Sequence, residues 1–449
     1  MNKIRIDQAP CGNWILNGPT KEENYITPED RLILRELSSR LAEYASRDIE
    51  EEKAMLWTAH NDLKPTRPLI YIDPENGWNE LISFDRDIRC KGFLAGEWEM
   101  WLRKQLYYAE VLKDDTVIEN VFYVPYVATD THHGVAIEKV GANHQSSANH
   151  NGGNSTTAYV WKEAIEDFAT DLYKVKDPII TVDYEESQKL LELAQDTFAG
   201  ILNVRRRHRW WHSLCLTKDY IHLRGFENML YDFYDYPDEL NALLERLTDI
   251  YEMKLDYLEQ HNLLAPNTGA SYIGSGGWGY TSQLRHFEAD EVEAIGVTTM
   301  DMWAHLESQE TGEVSPEMFA AYVFPHQLRL AKRFGLVCYG CCEAVDPRWE
   351  VVRKIPNLRR VSVSPWANPY KMAEYLGHDY VYSYKPSPTM LAVPNMDEDE
   401  VRKNARDLLQ ITKNCNMEFI MKDNHTLGNN PRNASRWVEI VREEIERMD

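Results

Sequence analysis

Residues 336–385 read LVCYGCCEAVDPRWEVVRKIPNLRRVSVSPWANPYKMAEYLGHDYVYSYK. Within this stretch, residues 336–339, 358–363 and 380–384 are short runs of apolar, β-branched and aromatic residues, the types that favour strands. Residues 369–376, between the last two runs, have an amphipathic pattern of helical period. Short strands that alternate with helices are typical of βα units around a parallel sheet, so the stretch predicts that class of fold.

The same alternation continues on both sides of this stretch, from about residue 198 to the end of the chain. The further predicted strands are residues 200–216, 268–280, 297–306 and 417–421, and the further predicted helices are residues 238–260, 317–334, 398–414 and 432–448. Seven strands are therefore visible, and we expect an eighth earlier, at residues 69–72 or 121–127. The fold class that follows is α/β, a (β/α)8 TIM barrel over residues 196–449.

The first part of the chain, residues 1–195, does not show this alternation and is predicted to be a mainly helical N-terminal elaboration. Its predicted helices cover residues 28–52, 160–173 and 185–198. Residues 144–157, HQSSANHNGGNSTT, have the polar, Gly- and Asn-rich composition of a long loop. Two interpretations stay open for this loop: a lid that is ordered over a ligand, and a plain surface loop.

The composition of the 449-residue chain limits the partners that it can have. A hydrophobic fraction of 43% and a charged fraction of 27% are typical of a soluble globular protein, and no apolar run approaches the ~18 residues of a membrane span. The 72 acidic and 49 basic residues give a net charge of −23, which repels nucleic-acid phosphates and anionic membranes. We therefore expect neither nucleic acid nor a membrane as a partner.

The N-terminal residues and the cysteines together indicate the compartment. The first residues, MNKIRIDQAPCGNW, lack the apolar stretch of a secretory signal. Seven cysteines scattered over a chain of this length do not have the pattern of a disulfide framework, so we expect reduced thiols. Both observations predict a cytoplasmic protein. A homodimer would be ordinary for such a barrel.

In a (β/α)8 barrel the active site lies where the strands end, so the polar residues at or directly after the end of each predicted strand are the candidates. They are His305, Glu307 and Glu310 in the first group, Cys341, Cys342 and Glu343 in the second, Ser364 and Trp366 in the third, Lys385 in the fourth, and Lys422, Asp423 and His425 in the last. Because the strands are parallel, these side chains should meet at one face of the barrel. Among them we expect Glu343, Trp366 and Lys385 to bind the substrate.

Thiols, carboxylates and an imidazole are the ligand types that zinc takes, and a catalytic zinc needs only three protein ligands beside an open position. We predict a metal site drawn from Cys341, Cys342, His425 and Glu307. Each candidate has an alternative interpretation. Vicinal cysteines also occur as a buried, inert pair. His425 is compatible with a structural histidine, and Glu307 with a loop that ends in a helix N-cap at Ser315.

Residues 195–449 also resemble a known superfamily. Residues 224–232 (RGFENMLYD) with Tyr236 and Pro237, and residues 315–319 (SPEMF) through Pro325, resemble strand-to-helix signatures of the uroporphyrinogen decarboxylase superfamily. The decarboxylase itself binds the carboxylates of its substrate with an Arg-Gln-Ala-Gly-Arg stretch near the N-terminus. That stretch has no counterpart here, so porphyrinogen decarboxylation is not expected.

The other branch of this superfamily consists of zinc-dependent methyltransferases that act with corrinoid proteins. Its members carry a His-x-Cys pair at one strand end and a further Cys after the last strand. Tyr339, Cys341 and His425 stand at those positions in this chain, so only Cys341 keeps the residue type. The passages around Glu307 and residues 341–343 most resemble the aryl-ether O-demethylase methyltransferase components.

This resemblance implies a reaction, a cofactor and a partner. Zinc would act as a Lewis acid on the heteroatom of a small methylated substrate, an O-methyl aromatic compound in the subgroup named above, and the methyl group would pass to the Co(I) corrinoid of a partner protein. His425 or Lys422 would protonate the leaving group, and Glu307 would bind the zinc or orient the substrate. Two alternatives remain: a metal-free lyase or decarboxylase on the same barrel, and a non-catalytic binding partner of the corrinoid protein.

Overall fold

The structure is a computed structural model, and it describes residues 25–137, 139–141, 159–207, 213–287, 292 and 295–448. The predicted loop at 144–157 lies outside these ranges. The strands of the described part of the chain are, in order, β1 (Leu69–Ile72), β2 (Val121–Val124), β3 (Val127–Asp130), β4 (Lys139–Gly141), β5 (Tyr159–Trp161), β6 (Ile180–Asp183), β7 (Asn203–Arg206), β8 (Trp303–Leu306), β9 (Leu336–Tyr339), β10 (Leu358–Val363), β11 (Val381–Tyr384) and β12 (Asn416–Met421).

Six of these strands form the central sheet, in the order β1-β12-β11-β10-β9-β8, and all neighbouring pairs are parallel. A second pair, β2 and β7, is also parallel, whereas β3 with β6 and β4 with β5 are antiparallel pairs. Every residue of β1, β8, β9, β11 and β12 is buried. Parallel sheets are buried on both faces because their crossover helices cover them. The predicted α/β class with a parallel sheet is confirmed.

The helices surround these sheets. They are α1 (Pro28–Ala45), α2 (Asp48–Asn61), α3 (Trp78–Leu81), α4 (Phe84–Asp87), α5 (Phe93–Tyr107), α6 (Phe168–Asp171), α7 (Tyr184–Thr197), α8 (Leu216–Arg224), α9 (Phe226–Asp235), α10 (Pro237–Gln260), α11 (Pro316–Met318), α12 (Phe324–Ala331), α13 (Trp349–Val352), α14 (Pro369–Leu376), α15 (Glu398–Ile411) and α16 (Arg432–Glu446). Local sequence explains where they begin. In α14, Pro369 is the first residue, and the Asn368 side chain accepts hydrogen bonds from Tyr370 N and Lys371 N, both at 3.1 Å.

Both edges of the central sheet are covered by segments that flank β2 and β7. At the β1 edge, Asp115 N donates to Ile70 O at 2.9 Å, and an Asp115 carboxylate oxygen accepts from Ile70 N at 2.8 Å. At the β8 edge, Ser213 forms a parallel bridge with His305, and Leu214 N donates to His305 O at 2.8 Å. Within the described ranges, the strands do not form one closed, hydrogen-bonded ring. The structure therefore contains an open central sheet, and other segments of the chain hydrogen-bond to both of its edge strands.

Two sequence predictions are wrong. Residues 268–280 do not form a strand, because their glycines let the chain fold back, with Ile273 N donating to Gly277 O at 3.1 Å. This loop packs tightly, since a Cβ atom on Gly277 would lie 2.3 Å from the Trp57 ring. The predicted helix at 160–173 is reduced to the four residues of α6, because β5 occupies its beginning.

Other predicted elements are confirmed, most of them in shorter form. Among the described residues of the predicted runs 200–216 and 297–306, four in each run are strand, as β7 and β8, and α8 begins where the first run ends. Both places proposed for an eighth strand hold one, since β1 and β2 lie there. Because β1 pairs with β12, the central sheet takes a strand from residues 1–195, the range predicted as an elaboration. No helix in the described ranges is long and apolar enough to cross a membrane.

Candidate active site

The turn after β9 carries two thiols and is held by its neighbours. Gly340 has a φ of +97°, which residues with side chains rarely adopt. A Cβ atom there would lie 3.2 Å from Val345 Cγ2 and 3.3 Å from Ser362 O. Gly340 N donates to Leu306 O at 2.8 Å, so the turn is fixed to the end of β8.

Cys341 and Cys342 follow this glycine with their sulfur atoms 3.7 Å apart, Cys341 buried and Cys342 partly exposed. A hydrogen bond from the Cys342 thiol lowers the pKa of Cys341 well below that of a free thiol, with help from the charges of Lys385 and Lys422 and against the effect of burial. The same hydrogen bond, together with burial, raises the pKa of Cys342. Cys341 is therefore the more acidic thiol of the pair.

The turn after β12 meets these thiols. Cys342 Sγ lies 3.6 Å from Asp423 Oδ2, and Lys422 Nζ lies 3.4 Å from Asp423 Oδ1. Asp423 has a φ of +62°, a left-handed conformation that is uncommon for residues other than glycine. The structure thus places Cys342, Asp423 and Lys422 side by side. Asp423 was among the polar residues expected at the strand ends, without a predicted role.

Three buried carboxyl groups form a cluster with Cys341. Glu343 accepts hydrogen bonds from Cys341 N at 2.8 Å and Ser308 N at 2.9 Å, so it joins the turns after β9 and β8. Glu307 Oε2 accepts from a nearby backbone N–H at 3.0 Å, while its buried Oε1 has no partner among the described residues. Burial raises the pKa of Glu343, raises that of Glu307 well above its ordinary value, and raises that of Glu310 to about 7.

His305, in β8, supports the turn that carries the thiols. Its Nε2 lies 3.0 Å from Gly340 O, and its Nδ1 lies 2.6 Å from Ser213 Oγ. Because a carbonyl oxygen only accepts, Nε2 carries the hydrogen and Nδ1 accepts from the serine hydroxyl. Burial lowers the pKa of His305 to about 4, so the ring is neutral at neutral pH. Both nitrogens are in use, and His305 therefore positions the turn, a role that its place within a strand did not reveal.

The remaining residues singled out from the sequence differ in exposure. Lys385, after β11, is 2% exposed, and its Nζ has no hydrogen-bond partner in the described part of the chain. Trp366 is 79% exposed. His425 is exposed as well, and its Nδ1 pairs with Asn76 Nδ2 at 3.2 Å. Lys385 therefore lies inside the candidate site beside Cys341, whereas no contact in the described structure joins Trp366 or His425 to the thiols.

Two further carboxylates, Asp73 and Glu75, lie at the same face, directly after β1. Lys422 Nζ is 3.5 Å from Glu75 Oε1, and Glu75 N donates to Asp73 Oδ1 at 3.0 Å. Burial raises the pKa of Asp73 and raises that of Glu75 to about 7. Neither residue was predicted from the sequence. Their position directly after residues 69–72 was the available signal, but that strand was only one of two proposed alternatives.

The donor types at this face fit a zinc ion. The edges of a tetrahedral site with Zn–S bonds of about 2.3 Å are about 3.8 Å long, and the sulfur atoms of Cys341 and Cys342 are 3.7 Å apart. The unpartnered Oε1 of Glu307 is a further buried donor. However, no three His, Cys, Asp or Glu side chains of the described residues form a group that could hold a metal ion. The thiols have the chemistry and spacing of zinc ligands, without a complete preformed ligand set.

Comparison with known proteins finds similarity among solved structures. No protein-family model matches the chain, and no curated protein matches it. Among solved structures, the chain is similar to a methyltransferase from Methanosarcina mazei, with 10% sequence identity and a TM-score of 0.46. The similarity covers 88% of this chain and 98% of the other. It assigns no activity to this chain.

Proposed function

We propose that this chain is an enzyme that moves a methyl group from a small methylated substrate to the Co(I) corrinoid of a separate partner protein. The observation that carries the proposal is the pair of thiols at the ends of parallel strands, where the sulfur atoms of Cys341 and Cys342 are 3.7 Å apart and the pKa of the buried Cys341 is lowered. A buried anion is costly unless neighbouring charges, hydrogen bonds or a metal compensate it, so such a thiol is a candidate for function. Parallel α/β folds bind their ligands at this end of the strands.

The proposal includes closure of the strands into a (β/α)8 barrel. Two observations support it. The central sheet and the β2–β7 pair together supply eight parallel strands. In addition, Asp115, shortly before β2, covers the edge of β1, and Ser213, shortly after β7, covers the edge of β8. The β2–β7 pair would therefore fill the gap between the two edges.

Zinc is the proposed cofactor. Cys341 and Cys342 would hold it, and Glu307 would complete the ligand set only after a rearrangement, because no three such side chains are grouped among the described residues. The ion would supply a Lewis acid for the heteroatom that loses the methyl group. His425 would join these ligands only by leaving Asn76.

The raised pKa values of the carboxyl groups beside Cys341 support a bound cation. Burial, together with mutual repulsion, raises the pKa of Glu307, and Glu310 and Glu343 next to it are affected in the same direction. Raised pKa values mean that ionisation of these carboxyl groups is unfavourable. A divalent cation would stabilise their ionised forms by offsetting the repulsion between the carboxylates.

Lys422 is the proposed proton donor to the leaving group. Burial alone would lower its pKa, but its neighbours Tyr272, Cys341 and Glu75 raise the pKa well above the ordinary value. Lys422 is therefore charged at neutral pH. A charged ammonium at this position stabilises an oxygen or sulfur anion that departs from the methyl group, and can pass it a proton.

A second candidate function, a metal-free lyase or decarboxylase, is favoured by Lys385. Its ammonium group is buried and lacks a hydrogen-bond partner among the described residues. Such a group suits the carboxylate of a substrate. The metal content of the protein discriminates between the two candidates.

The metal content is measured on protein purified without chelator, by inductively coupled plasma mass spectrometry. We expect stoichiometric zinc in the wild type, its loss in Cys341→Ser, and its retention in Cys415→Ser, which changes a thiol whose Sγ contacts Ala373 O instead. Protein without zinc, or zinc content that Cys341→Ser leaves unchanged, would contradict the zinc proposal and favour the metal-free alternative.

A further inference from the structure

Lys385 and Ser364 lie side by side at the ends of two neighbouring strands, β11 and β10. These strands are parallel, with Tyr384 opposite Val363, and Lys385 N donates to Val363 O at 2.9 Å. The pairing therefore extends one residue beyond both strands and sets Lys385 opposite Ser364. Directly opposite residues on paired strands project to the same face of a sheet, so the two side chains extend in the same direction.

That direction is toward the thiols. Side chains two residues apart along a strand point to the same face. Ser362, two residues before Ser364, has its Oγ 3.4 Å from Cys341 O. The Lys385 ammonium, in turn, interacts electrostatically with Cys341 and Cys342. The ammonium and the Ser364 hydroxyl therefore face the candidate active site.

Both groups are buried, and both lack a partner. Lys385 is 2% exposed and Ser364 is 1% exposed. Neither Lys385 Nζ nor Ser364 Oγ has a hydrogen-bond partner among the described residues, so they do not bond to each other or to the thiols. No carboxylate in the described ranges forms an ion pair with Lys385. Because a buried ammonium is costly without a counter-charge, the two groups indicate a site for an anion.

A second lysine, Lys422, also interacts with Cys341, but its surroundings are different. Its Nζ is 3.5 Å from Glu75 Oε1 and 3.4 Å from Asp423 Oδ1, so carboxyl groups of the chain already surround it. Bound zinc would not supply the counter-charge that Lys385 lacks. The two thiolates that hold the ion would offset its two positive charges. The Lys385 charge would therefore remain uncompensated with or without the metal.

We propose that Lys385 and Ser364 bind a carboxylate group of the substrate, and that the methyl donor is a small methyl ether that carries this carboxylate. The inference rests on the proposed function, because the methyl-bearing oxygen would lie toward Cys341 while the carboxylate lies at Lys385. The two oxygens of a carboxylate match the two donors, one accepting from the ammonium and the other from the hydroxyl. A carboxylate also carries one negative charge, which the one ammonium compensates, whereas a phosphate dianion would bring a second.

Isothermal titration calorimetry with matched pairs of ligands tests this inference. Methoxyacetate and 3-methoxybenzoate are compared with methoxyacetamide and 3-methoxybenzamide, which keep the shape without the charge. We expect at least one acid to bind the wild-type protein about tenfold more tightly than its amide, as charge-assisted hydrogen bonds predict. Lys385→Met should remove most of this preference. Lys371→Met, which removes an exposed ammonium on α14, should leave it unchanged.

Equal binding of acid and amide in both pairs, or binding of none of the four ligands, would overturn the inference. If Lys385→Met fails to fold, as judged by circular dichroism, Ser364→Ala replaces it, and loss of the hydroxyl donor should weaken binding of the acid about fivefold. Cys341→Ser should keep the preference for the acid while it loses zinc and methyl transfer. A preference that disappears with the zinc would instead show that the ion binds the carboxylate. Failure of the proposed function and failure of the carboxylate site are therefore distinguishable.

Discussion

Cys342 Sγ lies 3.6 Å from Asp423 Oδ2, although β9 and β12, the strands that these residues follow, are separated by β10 and β11 in the sheet. In a flat sheet, strands three positions apart are about 14 Å from each other. Side chains that meet across this interval require that the sheet curves toward the site. The curvature brings the thiols after β9 together with Lys422 and the carboxylates after β12 and β1.

The ionisation of Cys341 predicts selective alkylation. Its lowered pKa means that thiolate is present below the ordinary cysteine value of about 8.5. In chelator-treated protein, iodoacetamide should therefore modify Cys341 already near pH 7, whereas Cys415, whose pKa burial raises to about 11, should need higher pH. Peptide mass spectrometry after pulse labelling measures both rates. Lys385→Met should move the Cys341 profile to higher pH, and identical profiles for Cys341 and Cys415 would contradict the assignment.

Gly340→Ala should deform the turn that carries the thiols. A Cβ atom at a φ of +97° costs roughly 1–2 kcal/mol in strain, and it would also press on Ser362 O at 3.3 Å. We expect lower stability in urea denaturation and a loss of zinc. Gly200→Ala is the matched control, because Gly200 has a φ of +73° with no atom within 4 Å of the added Cβ. Gly200→Ala should lower stability but keep the zinc. A Gly340→Ala protein with full zinc content would contradict the prediction that this turn positions the zinc ligands.

Glu310→Gln should stabilise the protein at high pH. The folded pKa of Glu310 is about 7, while the unfolded value is near 4.3, so the unfolded chain releases this proton first. Stability therefore falls as the pH rises from about 4.3 to about 7. The glutamine variant should gain up to about 3 kcal/mol at pH 8 and almost nothing at pH 4, because the amide oxygen can still accept from Thr217 Oγ1. Urea titrations at both pH values measure this, and equal gains at the two would refute it.

Glu418→Gln should be strongly destabilising. Arg360 Nε and Glu418 Oε1 are 3.0 Å apart, and both side chains are fully buried. Breaking such a pair leaves an uncompensated charge, at a cost of about 3–5 kcal/mol in the free energy of unfolding. Asp407→Asn, in the exposed pair with Lys403, should cost no more than about 0.5 kcal/mol. Similar costs for the two variants in urea denaturation would show that the buried pair does not stabilise the fold.

The same carboxylate predicts a pH dependence. Burial alone would raise the pKa of Glu418, but Arg360 and His60 hold it below the ordinary value. A lowered carboxyl pKa contributes stability that is complete above the unfolded pKa of about 4.3 and is lost as the pH falls through the folded value. Acid titration of stability should therefore be less steep for Glu418→Gln than for the wild type, and an unchanged slope would contradict this.

The turn of Cys341 and Cys342 was predictable because a buried strand, a glycine and polar residues follow one another in the sequence, and this order marks the active end of a parallel strand. Asp73 and Glu75 were not predictable with the same ease. Their partner Lys422 is almost 350 residues away, and only the pairing of β1 with β12 brings them together.

The loop at 268–280 shows a different limit of sequence analysis. Its Tyr, Ile and Trp residues have the propensity of a strand, but its glycines allow a close approach to buried side chains that no local pattern encodes. His305 was likewise hidden, because its function depends on Ser213, far away in sequence, and on Gly340, in the turn after the next strand of the sheet.

The most direct test of methyl transfer at Cys341 is to mix the protein with methylated compounds and Co(I) cobalamin kept reduced by titanium(III) citrate. Absorption spectroscopy follows the conversion of Co(I) to methyl-Co(III). The wild type should form methyl-Co(III) with a methyl ether, and Cys341→Ser should not. No conversion with methyl ethers, thioethers or amines, or an undiminished rate in Cys341→Ser, would contradict the proposed function.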